Sequence, residues 1–359
     1  MNSSAIDFDA IIRSGITKFS DEVGRLWNSL ADYYIRLGQF ERARDVYEEA
    51  IGSVTTVRDF SIIFDAYVKV EESILTAKIR ILQDLKGDGD TSNQDNNINN
   101  IDQTDRGDND GVAEITAEIN MRLARIEYLM EKRPLLLNSV VLRQNPHNVH
   151  EWHKRAKLFK DGGNVAEKTD EDKENNLQKA IVTYVEAVKT VDPKLCTGKL
   201  SGLWLALASI YEKQGDLENA RFTLTKATEV NYKTVDELAN VWCAWAEMEM
   251  RHEEYEKALQ IMQQAATEPA MSSRRRKARA VAQGKGHTDE MAATEADGGA
   301  PVTDRVHKNV KVWSLYLDLE ESLGTVDSCR AAYDRAIDLK VKLQEAMNSL
   351  LFIDIFKIP

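Results

Sequence analysis

Three histidines, His147, His150 and His153, stand close together in PHNVHEWH. Steps of three residues can bring His150 and His153 onto one helical face, but no carboxylate or thiol completes a zinc set. Packing at a joint or on the surface is the simpler reading. The Asp-rich stretch from Gly87 to Gly111 invites comparison with a calcium loop. Placing Gly111 at the invariant glycine, however, puts Arg106 at the first ligand position and Ala117 at the twelfth, so the comparison fails. Gly87 and Gly89 lack the third glycine and the strand-turn-helix setting of a dinucleotide loop, and no GK[ST] phosphate loop occurs. Paired acids such as Glu48 with Glu49, or Glu320 with Glu321, have basic neighbours on amphipathic helices and read as solvated faces or inter-repeat salt bridges. No residue is assigned to catalysis, to a cofactor or to a metal, and the chain is read as a non-enzyme.

The one strongly basic stretch holds Arg274, Arg275, Arg276, Lys277, Arg279 and Lys285 with no acid among them. Such a run could serve nuclear import or touch RNA, and it could equally be a solvated loop. The chain as a whole carries a net charge of −12, and the seven Asp and one Arg between Gly87 and Gly111 supply half of it. An acidic chain is a poor general binder of phosphate backbones. Cys196, Cys243 and Cys329 lie far apart, odd in number and without CxxC spacing, which fits a reducing compartment. The N-terminus lacks a basic start with an apolar core, and no apolar run reaches eighteen residues, so neither a secretory signal nor a membrane span is expected.

The elements that position these groups are read from LWLALASIYEKQGDLENARFTLTKAT, Leu203 to Thr228. Leu207, Ala208 and Tyr211 follow Trp204 on one helical face, Gly215 and Asp216 make a turn, and Ala220, Leu224 and Ala227 form a second face. This is an αα-hairpin. Trp27 leads Gly38, Ala43, Tyr47 and Ala50 at the same offsets, and Trp313 leads Gly324, Cys329, Tyr333 and Ala336. Trp242 keeps Ala258, Met262 and Ala265 but has Glu253 in place of the glycine. Phe64 opens a further first helix, and Ala124, Arg125 and Tyr128 match Ala43, Arg44 and Tyr47 on its displaced partner. Trp152 opens another, with Ala180, Tyr184 and Ala187 on its second helix. The expected core is therefore Trp27, Ala43, Phe64, Trp152, Trp204, Ala220, Trp242, Ala258, Trp313 and Ala336. Six tryptophans could also stack on bases, but at this spacing packing is the simpler reading.

Hairpins of this kind bury a face only by stacking, so the predicted fold is all-α, a right-handed superhelical α-solenoid. Residues 1–25 are read as a partial repeat or cap, 26–340 as about six repeats, and 341–359 as an atypical tail whose LLFIDIF is unlike a polar cap. Polar insertions are expected near 87–111, 161–176 and 268–305, the first of them disordered. Pro134 is expected to end its helix or to mark the turn just beyond.

The Trp, Ala, aromatic, Ala offsets resemble tetratricopeptide repeats, with Ala31, Ala208, Ala246 and Leu317 where the usual glycine would stand. Glu71, Glu249 and Glu320 fall seven residues after the leading aromatic. Ala43-Arg44, Ala124-Arg125 and Ala220-Arg221 open second helices. These features resemble the half-a-tetratricopeptide, or HAT, repeat of RNA-processing factors, and the spacings Trp27 to Phe64 and Trp204 to Trp242 exceed a tetratricopeptide unit. RPLLLNSVVLRQNPHNVHEWHKR and VDELANVWCAWAEMEMRHEEYEKAL resemble the Syf-one, or XPA-binding protein two, family of pre-mRNA-splicing factors. That resemblance implies a nuclear, non-catalytic spliceosomal scaffold of the nineteen-associated complex, with a crooked-neck-like HAT protein, an Isy-type factor and an intron-binding helicase as partners. Family members are longer, so a fragment is expected. The alternative is an RNA-processing factor that contacts RNA through 274–285. A tetratricopeptide co-chaperone lacks support, since no clamp of Lys and Asn is found to hold a peptide carboxylate.

Overall fold

The computed structural model describes residues 8–19, 21–90, 105–161, 170–268 and 302–339. Among them the chain is helical throughout, and the one pairing of extended backbone is an isolated parallel bridge between Asn148 and Thr197. The elements are α1 (Phe8–Lys18), α2 (Val23–Arg36), α3 (Phe40–Ser53), α4 (Val57–Asp90), α5 (Asp105–Gln144), α6 (Val149–Asp161), α7 (Asp170–Thr190), α8 (Ser201–Lys213), α9 (Leu217–Thr228), α10 (Val235–Arg251) and α11 (Tyr255–Ala266). After them come α12 (Val302–Arg305), a 3₁₀ turn (Val306–Lys308), α13 (Val310–Leu323) and a last helix, α14, over 326–339. Contacts divide the chain into two compact units, 1–146 with 157–173, and 147–156 with 174–359.

Helices pair as the small residues dictate. In the first unit, Ala43 and Ala50 on α3 are buried, which lets α3 approach α2 closely enough for Trp27 and Leu30 to fill the gap. Tyr47 then stacks on Tyr67 of α4 with ring centroids 5.2 Å apart, and Phe60, Ile63 and Phe64 extend the same core. In the second unit Ala220, Leu224 and Ala227 of α9, and Ala258, Met262 and Ala265 of α11, are buried in the same way. A methyl-sized side chain at these positions sets the interhelical distance, and close packing then fixes which larger residues fit.

The hairpin turns follow from backbone chemistry. Gly38 and Gly215 have φ of +73° and +80°, the left-handed region that suits glycine. Glu253 adopts the same turn at φ +63° without being glycine, so the turn is imposed there by the packing of α10 on α11. Gly324 stands at the matching offset for another reason. Its φ is −79°, and a Cβ built there would lie 2.5 Å from the Glu320 carbonyl oxygen. Gly215→Ala should therefore cost about 1–2 kcal/mol through the left-handed conformation alone. Gly324→Ala should cost more, because backbone has to move, and a urea titration of the two variants would show the order. Asp216 caps α9, accepting from the Asn219 amide at 3.1 Å.

Several expectations are corrected. Pro134 lies inside α5 rather than at its end. One missing hydrogen bond is outweighed because Leu129 before it and Leu136, Leu137 and Val140 after it pack against the first core. The matched residues Ala124 and Tyr128 are exposed, and Arg122 and Leu129 are the buried ones. The insertions are shorter than expected: 87–90 and 105–111 are helical, as are 170–176. Propagating an existing helix costs far less than nucleating one, so polar residues join its ends. At the third insertion Val302 and Asp304 are buried in α12. The stretches 91–104, 162–169 and 269–301, and the tail 340–359, lie outside the described residues.

Candidate functional site

The glutamate that follows the leading aromatic by seven residues is buried in each of the three hairpins that have it: Glu71, Glu249 and Glu320. A buried carboxylate is costly unless it is paired and hydrogen-bonded. Glu249 of α10, 1% exposed, is met by Arg221 of α9, whose Nε and Nη2 donate to its two oxygens at 2.8 and 2.7 Å. The Trp245 indole N–H adds a third donor at 3.3 Å. Burial pushes the Glu249 carboxyl up, but Arg221 and Trp245 outweigh it and the net shift is downward. The arginine that opens one second helix thus holds the glutamate of the next first helix, which locks neighbouring hairpins in register.

The other two glutamates find different partners. Glu71 of α4 takes Arg122 Nη1 at 3.0 Å and Arg125 Nη1 at 3.5 Å, both from α5. Arg44 of the first Ala-Arg pair stays on its own helix, facing Glu41 and Glu48. Glu320 of α13 accepts from Ser328 Oγ at 2.8 Å. A fourth buried acid, Glu237, escaped the sequence reading. It accepts from the Ser201 amide at 3.3 Å, while its own amide donates to Thr234 Oγ1. The T-x-x-E capping signature was its available signal.

Of the expected core, Trp27, Ala43, Phe64, Trp152, Ala220, Trp242, Ala258 and Trp313 are buried. Trp204 and Ala336 are only half-buried, which corrects their assignment to the core. Leu203 and Leu207 take the inward seat on α8, one residue's rotation from Trp204, and Ala332 takes it on α14. The basic residues Arg274, Arg275, Arg276, Lys277 and Arg279 lie outside the described residues.

The histidines pack a joint. His153 Nδ1 lies 3.2 Å from the Tyr184 hydroxyl, and His147 Nδ1 accepts from the Asp192 amide at 3.2 Å. A Cβ on Gly198 or Gly202 would press on the Nε2 atoms of His150 and His153, at 3.2 and 3.3 Å, so the glycines make room for these rings. Burial, with His150 nearby, lowers the His153 pKa, which favours the neutral ring. Among the described residues no group of three His, Cys, Asp or Glu is placed to hold a metal ion, and no helix is long and apolar enough to cross a membrane. Apolar side chains do reach solvent in both units, Ile11, Phe19 and Tyr128 in the first and Leu195, Phe222 and Tyr255 in the second.

Two family models cover nearly the whole chain. "Pre-mRNA-splicing factor SYF1 middle HAT repeat" matches residues 1–191, and "Pre-mRNA-splicing factor Syf1/CRNKL1 C-terminal HAT repeat" matches 193–353. The chain belongs to the Syf1 family of HAT-repeat pre-mRNA-splicing factors. The human pre-mRNA-splicing factor SYF1 is 45% identical over 351 residues, which is 98% of this chain and 34% of the human protein. The Drosophila melanogaster Syf1 homolog is 44% identical, covering 94% of this chain and 32% of its own length. Pre-mRNA-splicing factor cwf3 of Schizosaccharomyces pombe is 35% identical, covering 98% and 38%. This Syf1-family chain thus spans about a third of the length of the curated relatives it matches. The change from one Syf1 model to the next, between 191 and 193, falls just after α7, which ends at Thr190.

Proposed function

We propose that this chain is a non-catalytic scaffold segment that acts in pre-mRNA splicing, inside the nucleus, by holding other spliceosomal proteins on the faces of its HAT hairpins. The observation that carries this reading is the division of labour among its ionisable groups. The most buried acids, Glu71, Glu249 and Glu320, are spent on holding helices together, while apolar side chains such as Phe222 and Tyr128 stand in solvent. A scaffold needs that pairing of rigid interior and sticky exterior, since exposed apolar patches mark surfaces for protein contact. The names of the relatives support the splicing setting. Within it, the family resemblance points to the nineteen-associated complex and to a crooked-neck-like HAT protein, an Isy-type factor and an intron-binding helicase as the molecules held.

Affinity capture of the tagged chain from nuclear extract, read by mass spectrometry, tests the proposal. The expected result is enrichment of spliceosomal proteins, these three classes among them, over an unrelated helical-repeat bait. Equal recovery from both baits would contradict it. Direct contact with RNA through Arg274 to Lys285 is the second reading, motivated by the basic run itself. It requires salt-dependent binding of labelled single-stranded RNA that disappears when 274–285 is deleted.

A further inference from the structure

We infer that the trailing face of the last described hairpin, α13 with α14, is a seat for one more HAT-type first helix, brought by a separate partner protein. This deepens the scaffold reading and rests on it. The argument is one of register. Twenty residues after the leading Trp or Phe in the ungapped hairpins stand Tyr47, Leu224, Met262 and Tyr333. The first three are buried, and Tyr333 is 39% exposed. On α14 it belongs to a stripe with Val326, 75% exposed, and Ile337, 57% exposed, spaced by seven and four residues and so on one side of the helix.

What covers the equivalent face elsewhere is visible within each unit. Tyr47 of α3 is covered by α4, whose Phe64 and Tyr67 are both buried, Tyr67 stacking on Tyr47. Met262 of α11 lies on the helix that packs against α13, whose Trp313 and Tyr316 are likewise buried. The occupant is thus an amphipathic helix carrying two rings three residues apart, as Phe64 with Tyr67 and Trp313 with Tyr316. At the open face a groove of about 450 Å³ remains, lined by Glu320, Gly324, Val326, Cys329 and Tyr333 among others. Gly324 keeps its mouth open, and Tyr333 is held across it by a hydrogen bond to Glu321. The groove continues an interface that this fold already makes twice, which identifies the class of helix it takes.

The probe is a fluorescent, hydrocarbon-stapled peptide with the sequence of Val310–Leu323, titrated by anisotropy against the full chain. Saturable binding is expected, weakened about thirtyfold by Tyr333→Glu with Ile337→Glu in the chain, the scale of a hot-spot loss. Trp313→Ala with Tyr316→Ala in the peptide should weaken it comparably. Both chain positions are solvent-exposed, so the variant should keep its thermal stability, and circular dichroism would verify that. No saturable binding, or binding indifferent to the chain variant, would overturn the inference. So would concentration-dependent self-association abolished by the same variant, because the seat would then belong to a second copy. Capture of spliceosomal proteins through other faces would survive all three outcomes, so the scaffold reading stands or falls separately.

Discussion

Phe64→Ala lowers the stability of the first unit by about 3–5 kcal/mol, whereas Trp204→Ala lowers that of the second by less than about 2 kcal/mol. The sequence alone ranks them the other way, since indole is larger than phenyl. Burial reverses the order. Phe64 is 1% exposed and packs on Phe60 at 5.5 Å in a core that also holds Ile63 and Tyr67, so truncation leaves a cavity that neighbouring helices cannot close. Trp204 already shares its surface with water, and Leu203 and Leu207 keep the inward seat filled. Hydrogen exchange read by mass spectrometry separates the two units and gives each variant its own value. Equal losses would show that the seat on α8 is misassigned.

The second large effect comes from the Arg221–Glu249 lock and is asymmetric. Arg221→Ala strands a carboxylate that is 1% exposed with only the Trp245 N–H for company, and should destabilise by about 3 kcal/mol. Glu249→Ala should cost less, because the Arg221 side chain is 30% exposed and can turn to water. The double variant Arg221→Met with Glu249→Leu should recover much of the loss, as apolar replacements of buried pairs often do. The pH dependence follows in sign. Glu249 is held below the usual glutamate range in the folded chain, so its contribution is present above the unfolded-state pKa and fades as pH falls through the folded one. In Arg221→Ala burial acts alone, the folded pKa rises, and the variant instead gains stability on acidification. Urea midpoints between mildly acidic and neutral pH for the two proteins would have opposite slopes. Parallel slopes would mean that Arg221 does not govern this carboxylate.

The fold was legible where one residue type had one use. Ala43, Ala220 and Ala258 are fully buried because only a methyl group fits between two helix backbones, and glycine at 38 and 215 marks turns that few other residues make cheaply. Legibility failed where neighbours compete for one seat. Periodicity assigns a face to within about one residue, and Leu203 rather than Trp204, or Ala332 rather than Ala336, won by that margin. It failed again at Pro134, Ala124 and Tyr128, because the helix that carries them is placed by long-range packing of Leu136 and Val140 and not by its local sequence. The Ala-Arg pairs were read as a family mark. That Arg221 reaches across to Glu249, while Arg44 stays on its own helix, depends on side-chain distances no linear pattern contains.

Whether this chain works by holding proteins is decided most directly by capture from nuclear extract with and without nuclease, using the whole chain and a version lacking 269–301. Retention of the same spliceosomal proteins in all four arms is the expected result, since the contacts are assigned to hairpin faces. Loss of those proteins on nuclease treatment, or on removal of the basic stretch, would contradict it and make RNA the binding partner.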